Sequence, residues 1–200
     1  MEAISGARLS ADTNRYTTIP GTLIGSSLCC RPSIIGDYSR SLGDSSIVHS
    51  GVIPKIRLGE LSLYAFGVEE LTGVIKDFGD YRSSIDKDIY ATAYRSFIQC
   101  TGGMLGSITK DSIAESIHIM GTNNAEFLVD LDDTGRAYPG LSNPGVVESG
   151  ILWLNRIQIN SILKHDQYKD LGIETYGITS NLYIALSNNM DVIWSDDEPI

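Results

Sequence analysis

The sequence is poor in cysteine and lacks the spacing that a structural metal site needs. It has three cysteines, an odd number: Cys29 and Cys30 are adjacent, and Cys100 is distant from both. No Cys-x-x-Cys pair occurs, so the chain offers no scaffold for a structural zinc ion. A redox pair at Cys29 and Cys30 is the alternative, but such cysteines more often pack as small hydrophobic residues. We therefore expect no disulfide framework.

Long apolar runs are also absent. No segment approaches the roughly 18 to 20 apolar residues that are needed to span a bilayer. The first residues, Met1–Ser5, lack the basic and then apolar pattern of a signal peptide. These absences predict a cytoplasmic or intracellular protein without a transmembrane segment, which is not secreted by a signal peptide.

Positive charge is scarce. Fifteen basic residues, only six of them lysine, stand against 25 acidic ones and give a net charge of -10. This balance argues against nucleic acid or an anionic membrane as the main partner, because both favour clustered Lys and Arg. A local basic patch built from Arg82, Lys87 and Arg95 is one alternative, and an ordinary solvated helix face is the other.

The length and composition favour one compact domain. Two hundred residues with 42% hydrophobic content can bury a core without metals or disulfides. Residues 1–45 are rich in Ser, Gly, Thr and Arg and predict an irregular N-terminal arm, which is either disordered or ordered along a neighbouring subunit. Residues 46–194 are predicted to form a single α+β domain, and residues 195–200 a short acidic tail.

The first half of that domain shows strand patterns followed by helical ones. Residues 46–53 and 56–66 are predicted to be strands, with a bulge at Gly59 where the alternation of apolar residues changes phase. Helical spacing then predicts helices over residues 68–78, 85–104 and 113–120. A cap at Ser83 or Ser84 and an end at Gly102–Gly103 are expected for the second helix. The predicted helices of the chain thus lie between residues 68 and 121.

The second half returns to strand patterns. Residues 126–131 are predicted to form an apolar strand, and residues 151–160 a half-buried one. Two apolar runs within 182–194, separated by Asn188–Asn189, predict an antiparallel hairpin because Asn tolerates positive φ. The fold class expected from these patterns is α+β, with a mostly antiparallel sheet, two or three helices in the middle of the chain and an irregular N-terminal arm.

One segment resembles a catalytic motif. Residues 127–134 resemble the first motif of the haloacid dehalogenase-like phosphatases, in which a strand ends in Asp-x-Asp-x-Thr. The resemblance implies that Asp130 is the nucleophile and Asp132 the general acid and base, with Mg²⁺ bridging the carboxylates and the phosphate. Residues 176–181 resemble the second motif of that family, and residues 196–197 its terminal acidic pair.

The surrounding sequence favours a turn at this place instead. The family has a lysine after its second motif, whereas no lysine follows Lys169 here. The 70 residues after Asp130 leave room for about two βα units of ~30 residues, and the parallel sheet of the family needs several. Asp and Gly are the residues that a tight turn requires, so residues 132–135 are predicted to be a hairpin turn followed by a return strand from Arg136.

No other set of residues predicts catalysis. The histidines, His49, His118 and His165, have no histidine or cysteine at ligand spacing, and each is expected to be structural. Nucleophile-elbow, P-loop and dinucleotide-binding glycine motifs are absent. We therefore assign no catalytic, cofactor or metal residue.

The functional hypothesis follows from what remains. It is a non-enzymatic structural or assembly protein that associates with copies of itself through its N-terminal arm and contacts other proteins, and a virion subunit of matrix, capsid or phage tail type would fit. The alternatives are an Mg²⁺-dependent phosphatase of the haloacid dehalogenase-like type, and a monomeric adaptor or inhibitor of a host protein.

Overall fold

The structure is a computed structural model that describes residues 46–131, 136–164 and 177–195. The elements of this part follow one another as β1 (His49–Leu58), β2 (Leu61–Val68), β3 (Val74–Lys76), β4 (Phe78–Tyr81), α1 (Ile89–Thr101), α2 (Lys110–Ala114), β5 (Ile117–Met120), β6 (Asn124–Asp130), β7 (Val147–Glu148), β8 (Ile151–Asn155), α3 (Arg156–Leu163), β9 (Gly177–Ile178), α4 (Ser180–Asn188) and α5 (Met190–Ser195).

The strands of this part of the chain form one mixed sheet around β1. Its main path runs β5-β6-β1-β2-β3-β9, and β8 pairs with β2 and β7. β1 has β6 along one edge, while its other edge pairs first with β4 and then with β2. The β1–β6 and β3–β9 pairs are parallel and the remaining pairs are antiparallel. The predicted α+β class is confirmed.

Helices cover both faces of the sheet. One core packs α1 and α2 against residues such as Val52 and Phe127, and a second packs α3, α4 and α5 against residues such as Ile53 and Leu128. Since neighbouring residues of a strand point to opposite faces, β1 and β6 each contribute to both cores. This layering explains why both strands are buried almost throughout.

Helix α1 confirms the strongest helical pattern of the sequence within narrower bounds. Ile89, Ala93 and Phe97 are buried at four-residue steps. Its cap is Asp88, whose side chain accepts a hydrogen bond from the Ala91 amide at 2.7 Å, rather than Ser83 or Ser84. It ends at Gly102 in the left-handed conformation with φ 55°.

Two predictions in the first half are wrong. Gly59 has φ 63° and lies with Glu60 in the two-residue turn that joins β1 to β2, so it forms a hairpin instead of a bulge. The helix predicted over 68–78 is replaced by the end of β2, a turn, β3 and β4. Leu71, which the helical pattern would bury, is 96% exposed at that turn.

Further corrections apply to the second half. Only 151–155 of the predicted 151–160 strand is a strand, because Asn155 caps α3. The predicted hairpin over 182–194 is a pair of helices, α4 and α5. The helix predicted over 113–120 is shortened to α2, and β5 follows it.

The structure tests the return strand predicted from Arg136, but it does not test the predicted turn or the two termini. No strand starts at Arg136 in the described part of the chain. The arm at 1–45, the turn at 132–135 and the tail beyond Ser195 lie outside the described residues, so those predictions stay predictions. The helices of the described segments are all too short to traverse a membrane.

Candidate metal centre

Three buried titratable side chains face one another on the side of the sheet that α3, α4 and α5 cover. They are His49, Asp77 and Glu126, called here the His49 cluster. His49 Nε2 lies 3.8 Å from Asp77 Oδ2, and His49 Nδ1 lies 3.5 Å from Glu126 Oε1. One donor atom from each residue can be chosen so that all three lie within 4.8 Å of one another. The spacing is that of side chains which could close on a single ion.

Strand pairing assembles the cluster from distant parts of the sequence. Gly51 on β1 is paired with Glu126 on β6 and with Gly79 on β4. His49 lies two residues before Gly51, and Asp77 lies two residues before Gly79. Because side chains in a strand alternate with a period of two, these positions share one face of the sheet.

Two glycines leave the space that the carboxylates occupy. A Cβ atom at Gly51 or at Gly79 would overlap Asp77 Oδ2. A Cβ at Gly51 would also lie 2.6 Å from Glu126 Oε2, and one at Gly79 would lie 2.7 Å from His49 Cε1. Neither glycine has a positive φ, so backbone conformation does not require them. Their role is steric, as for other glycines in strands where another group approaches closely.

The cluster contains polar atoms that the protein itself does not satisfy. His49 is 9% exposed, Asp77 5% and Glu126 0%. Among the described residues, His49 Nδ1, Asp77 Oδ2 and Glu126 Oε2 are buried and have no hydrogen-bond partner. Native proteins rarely leave such atoms unpartnered, because each costs roughly 1–3 kcal/mol. Three of them at one place indicate a group that binds there.

The electrostatics point to a missing positive charge. Burial raises the pKa of Asp77 well above its usual range, and the Glu126 carboxylate raises it further. Burial alone would lower the pKa of His49, but the nearby carboxylates of Glu126 and Asp77 outweigh it and raise the pKa of the imidazole. Both directions mean that the cluster takes up protons to offset its negative charge. A divalent cation would supply that charge instead.

The residues of the phosphatase resemblance do not converge in the structure. Asp130 is exposed at the end of β6, and Asp132 lies outside the described residues. The 176–181 segment begins outside them and continues through the edge strand β9 to the start of α4. The sheet that carries them is mixed, unlike the parallel sheet that the resemblance implies.

The other candidate residues from the sequence also lie apart. His118 packs its ring against Phe127, and burial lowers its pKa. Cys100 is a free thiol, and its partial burial raises its pKa. Cys29, Cys30 and His165 fall outside the described residues.

Two of the three basic residues proposed as a patch, Arg82 and Arg95, are engaged locally. Arg95 binds the carboxylates of Asp80 and Asp86, and Arg82 donates to the Lys87 carbonyl oxygen at 3.0 Å. The arginines are therefore held by their own neighbours in the fold.

Sequence reasoning missed the His49 cluster because its members are not close in the chain. His49 was assigned a structural role for want of a neighbouring ligand, and Asp77 and Glu126 were not considered. A signal was present in the sequence, because Gly51 directly precedes the apolar pair Val52–Ile53 and Glu126 directly precedes the apolar run Phe127–Val129. Glycine and a lone carboxylate at such positions need a reason other than core packing.

Comparison with known proteins gives structural neighbours only. No protein-family model and no curated protein sequence matches the chain. The solved structures that resemble it include the Nudix hydrolase RenU from M. smegmatis, with 8% identity over 75% of this chain and 88% of that one and a TM-score of 0.47. They also include the Ap4A hydrolase of C. elegans, with 12% identity, 63% and 91% coverage and a TM-score of 0.39. A third is the MERS1–RNA complex of T. brucei, with 13% identity, 70% and 61% coverage and a TM-score of 0.42.

These neighbours correct the functional hypothesis drawn from the sequence. Two of the three are hydrolases and one is an RNA-bound protein, and none is a virion subunit, a haloacid dehalogenase-like phosphatase or an adaptor. The expectation of a non-enzymatic, self-assembling structural protein is therefore wrong. The prediction that the partners are copies of itself and other proteins, with nucleic acid unlikely, is wrong as well, since one neighbour is an RNA complex.

Proposed function

We propose that this domain binds one divalent transition-metal ion at His49, Asp77 and Glu126. The observation that carries the proposal is the meeting of one imidazole and two carboxylates, with one donor atom from each within 4.8 Å of the others. Each of the three residues also has a buried atom without a hydrogen-bond partner among the described residues. A cation is the ligand that satisfies an imidazole nitrogen and two carboxylate oxygens at once. The room left by Gly51 and Gly79 supports the proposal, because it admits the carboxylates to this buried place.

A purely structural ion triad is the competing explanation. Buried ion pairs are retained at a cost in desolvation, which is offset only when good geometry and additional hydrogen bonds satisfy the remaining atoms. In the His49 cluster, one buried atom of each member lacks such a hydrogen bond among the described residues. It also sets two carboxylates against one imidazole, so its charges balance only when it takes up protons. Metal binding removes both difficulties.

The donor set indicates the class of ion. One imidazole and two carboxylates suit Zn²⁺, Mn²⁺ or Fe²⁺, whereas Mg²⁺ and Ca²⁺ prefer oxygen ligands alone. Three protein ligands are also the number found in catalytic zinc sites, which keep a further position for water, while structural zinc sites use four. The composition of the site thus favours an ion that retains a position for a small ligand.

Metal binding is tested directly on the whole chain. Protein stripped with a chelator is titrated with Zn²⁺, Mn²⁺ or Mg²⁺ by calorimetry, and its thermal unfolding is followed with and without each ion. We expect one Zn²⁺ or Mn²⁺ per chain and weaker binding of Mg²⁺. At an ion concentration 100 times the Kd, the added stability is about 2.7 kcal/mol.

A matched pair of histidine variants locates the site. His49→Ala should abolish both the binding and the thermal shift. His118→Ala should keep both, because His118 contacts Phe127 on the opposite face of the sheet. The proposal fails if the natural protein binds no divalent ion, or if His49→Ala binds it as tightly as the natural protein does.

A further inference from the structure

We infer that Asn124 is a positioning residue that orients Glu126 for the metal, an inference that rests on the proposed function. The Asn124 side chain donates from Nδ2 to Glu126 Oε1 at 3.0 Å, and both residues are buried. This bond occupies one carboxylate oxygen. The other oxygen, Oε2, is the one left without a partner among the described residues.

The free oxygen of Glu126 is directed to the same place as the free oxygen of Asp77. Both atoms lie where a side chain at Gly51 would begin, since a Cβ there would be 2.6 Å from Glu126 Oε2 and would overlap Asp77 Oδ2. Rotation of the Glu126 carboxylate would carry Oε2 away from that place. The hydrogen bond from Asn124 opposes such rotation, because Oε1 would have to leave Asn124 Nδ2 before the carboxylate could turn.

Asn124 is itself fixed by its surroundings. It begins β6 directly opposite His49 on β1. Its Nδ2 also donates to the carbonyl oxygen of Asn181 in the first turn of α4, at 3.3 Å. A Cβ at Gly121 would overlap Asn124 Oδ1, so the glycine in the β5–β6 turn gives the amide its room. The hydrogen bond to Asn181 and the close fit against Gly121 therefore fix the amide group that orients Glu126.

This arrangement has the chemistry of a support for a metal ligand. Ligating carboxylates are themselves hydrogen-bonded in metal sites, and the loss of such a partner typically costs about 10- to 100-fold in metal affinity. A neutral amide is suited to the task, since it orients the carboxylate without taking its charge away from the cation. An aspartate of the same shape would lack the donor and would add a third carboxylate.

The test compares two asparagine variants with a matched control. Zn²⁺ affinity is measured by competition with a chromophoric chelator, and Co²⁺ is bound in its place to record the visible absorption of the centre. Asn124→Ala should raise the Kd about 10- to 100-fold with one ion still bound per chain. It should also change the Co²⁺ spectrum, which reports coordination and not stability. Asn124→Asp also lacks the donor to Glu126, so it should not restore the spectrum of the natural protein.

Asn189→Ala is the control. Asn189 Nδ2 donates to the Met120 and Ala185 carbonyl oxygens and so ties the other end of α4 to the sheet, without touching the cluster. It should leave the Kd and the spectrum unchanged. An equal rise of the Zn²⁺ Kd in Asn124→Ala and Asn189→Ala would show that Asn124 acts only by holding α4 in place. That result would overturn the inference. An unchanged Kd in Asn124→Ala would overturn it while leaving the metal site in place, whereas no binding by the natural protein would overturn the site as well.

Discussion

Two clusters of charged residues lie on opposite faces of the sheet, one with Asp80 in β4 and the other with Asp77 just before β4. They differ in how completely they are hydrogen-bonded. In the first, which we call the Arg95 cluster, the guanidinium binds Asp86 on one side and Asp80 on the other. Arg95 Nε donates to Asp86 at 3.1 Å, Nη1 donates to Asp80 at 3.1 Å, and Nη2 donates to Asp86 at 2.9 Å and to the Tyr81 carbonyl oxygen at 3.0 Å. In the His49 cluster, each member keeps an unpartnered buried atom among the described residues.

The difference separates a structural role from a binding role. The Arg95 cluster connects α1 to β4 and to the loop before α1. Each of the three guanidinium nitrogens donates a hydrogen bond, and the two carboxylates lie beside the positive charge. The His49 cluster holds two buried carboxylates beside one imidazole, and each member keeps an unpartnered buried atom among the described residues. One unsatisfied buried atom costs roughly 1–3 kcal/mol of folding stability. Because the His49 cluster keeps three such atoms together, we expect it to bind a ligand.

The largest effect is expected from a change that fills the space between β1 and β4. Gly51→Ala places a methyl group where Asp77 Oδ2 lies, so we expect a loss of about 3 kcal/mol in the free energy of unfolding. Chemical denaturation measures it. Gly177→Ala, at a glycine whose Cβ would meet nothing within 4 Å, should change stability by less than about 0.5 kcal/mol. Equal, small losses in both variants would show that the carboxylates do not depend on the glycine.

A smaller loss is expected when the Arg95 cluster is broken. Its hydrogen bonds with Arg95 lower the pKa of Asp86. Asp86→Asn removes a charged partner of those bonds and should cost about 2 kcal/mol at neutral pH. A carboxyl whose pKa is lowered by folding stabilises the fold above its unfolded-state pKa and loses that contribution as the pH falls through the folded-state pKa.

The difference between the natural protein and Asp86→Asn should therefore be constant near neutral pH and shrink below pH 4, where the unfolded carboxyl begins to take up its proton. Urea unfolding across that range tests the direction. A difference that grew on acidification would contradict the assignment of this cluster as a satisfied ion network.

The parts of the fold that follow local patterns were predictable from the sequence. Helix α1 was found because Ile89, Ala93 and Phe97 recur at helical spacing and face one core. The α3 boundary was missed although Asn155 and Gln158 form a capping box, a signal that the strand pattern outweighed. The misassigned hairpin also had a helical signal, because Leu182, Ala185 and Leu186 are buried at three- and four-residue intervals.

The candidate site was not predictable by the same means. His49 lies in β1, Asp77 between β3 and β4, and Glu126 in β6, and no motif with fixed spacing connects them. Their proximity depends on the parallel pairing of β1 with β6 and the antiparallel pairing of β1 with β4. Strand partners so far apart in the chain are chosen by tertiary packing rather than by local propensity. The sequence could indicate only that Gly51, Gly79 and a buried glutamate were unusual in such strands.

The smallest effect has the opposite sign, and it distinguishes the two clusters most directly. Asp77→Asn should stabilise the metal-free protein by about 1 kcal/mol at neutral pH, because it removes a buried carboxylate that lacks a full set of partners.

Folding raises the pKa of Asp77, chiefly through burial. A carboxyl with a raised pKa destabilises the fold as the pH rises above its unfolded-state pKa, since the unfolded chain then loses a proton that the folded chain retains. The gain from Asp77→Asn should therefore be absent near pH 4 and grow toward neutral pH, in urea unfolding with a chelator present. The same variant should lose the stabilisation by Zn²⁺. A loss of stability in the metal-free state, like that expected for Asp86→Asn, would place the His49 cluster with the structural ion networks.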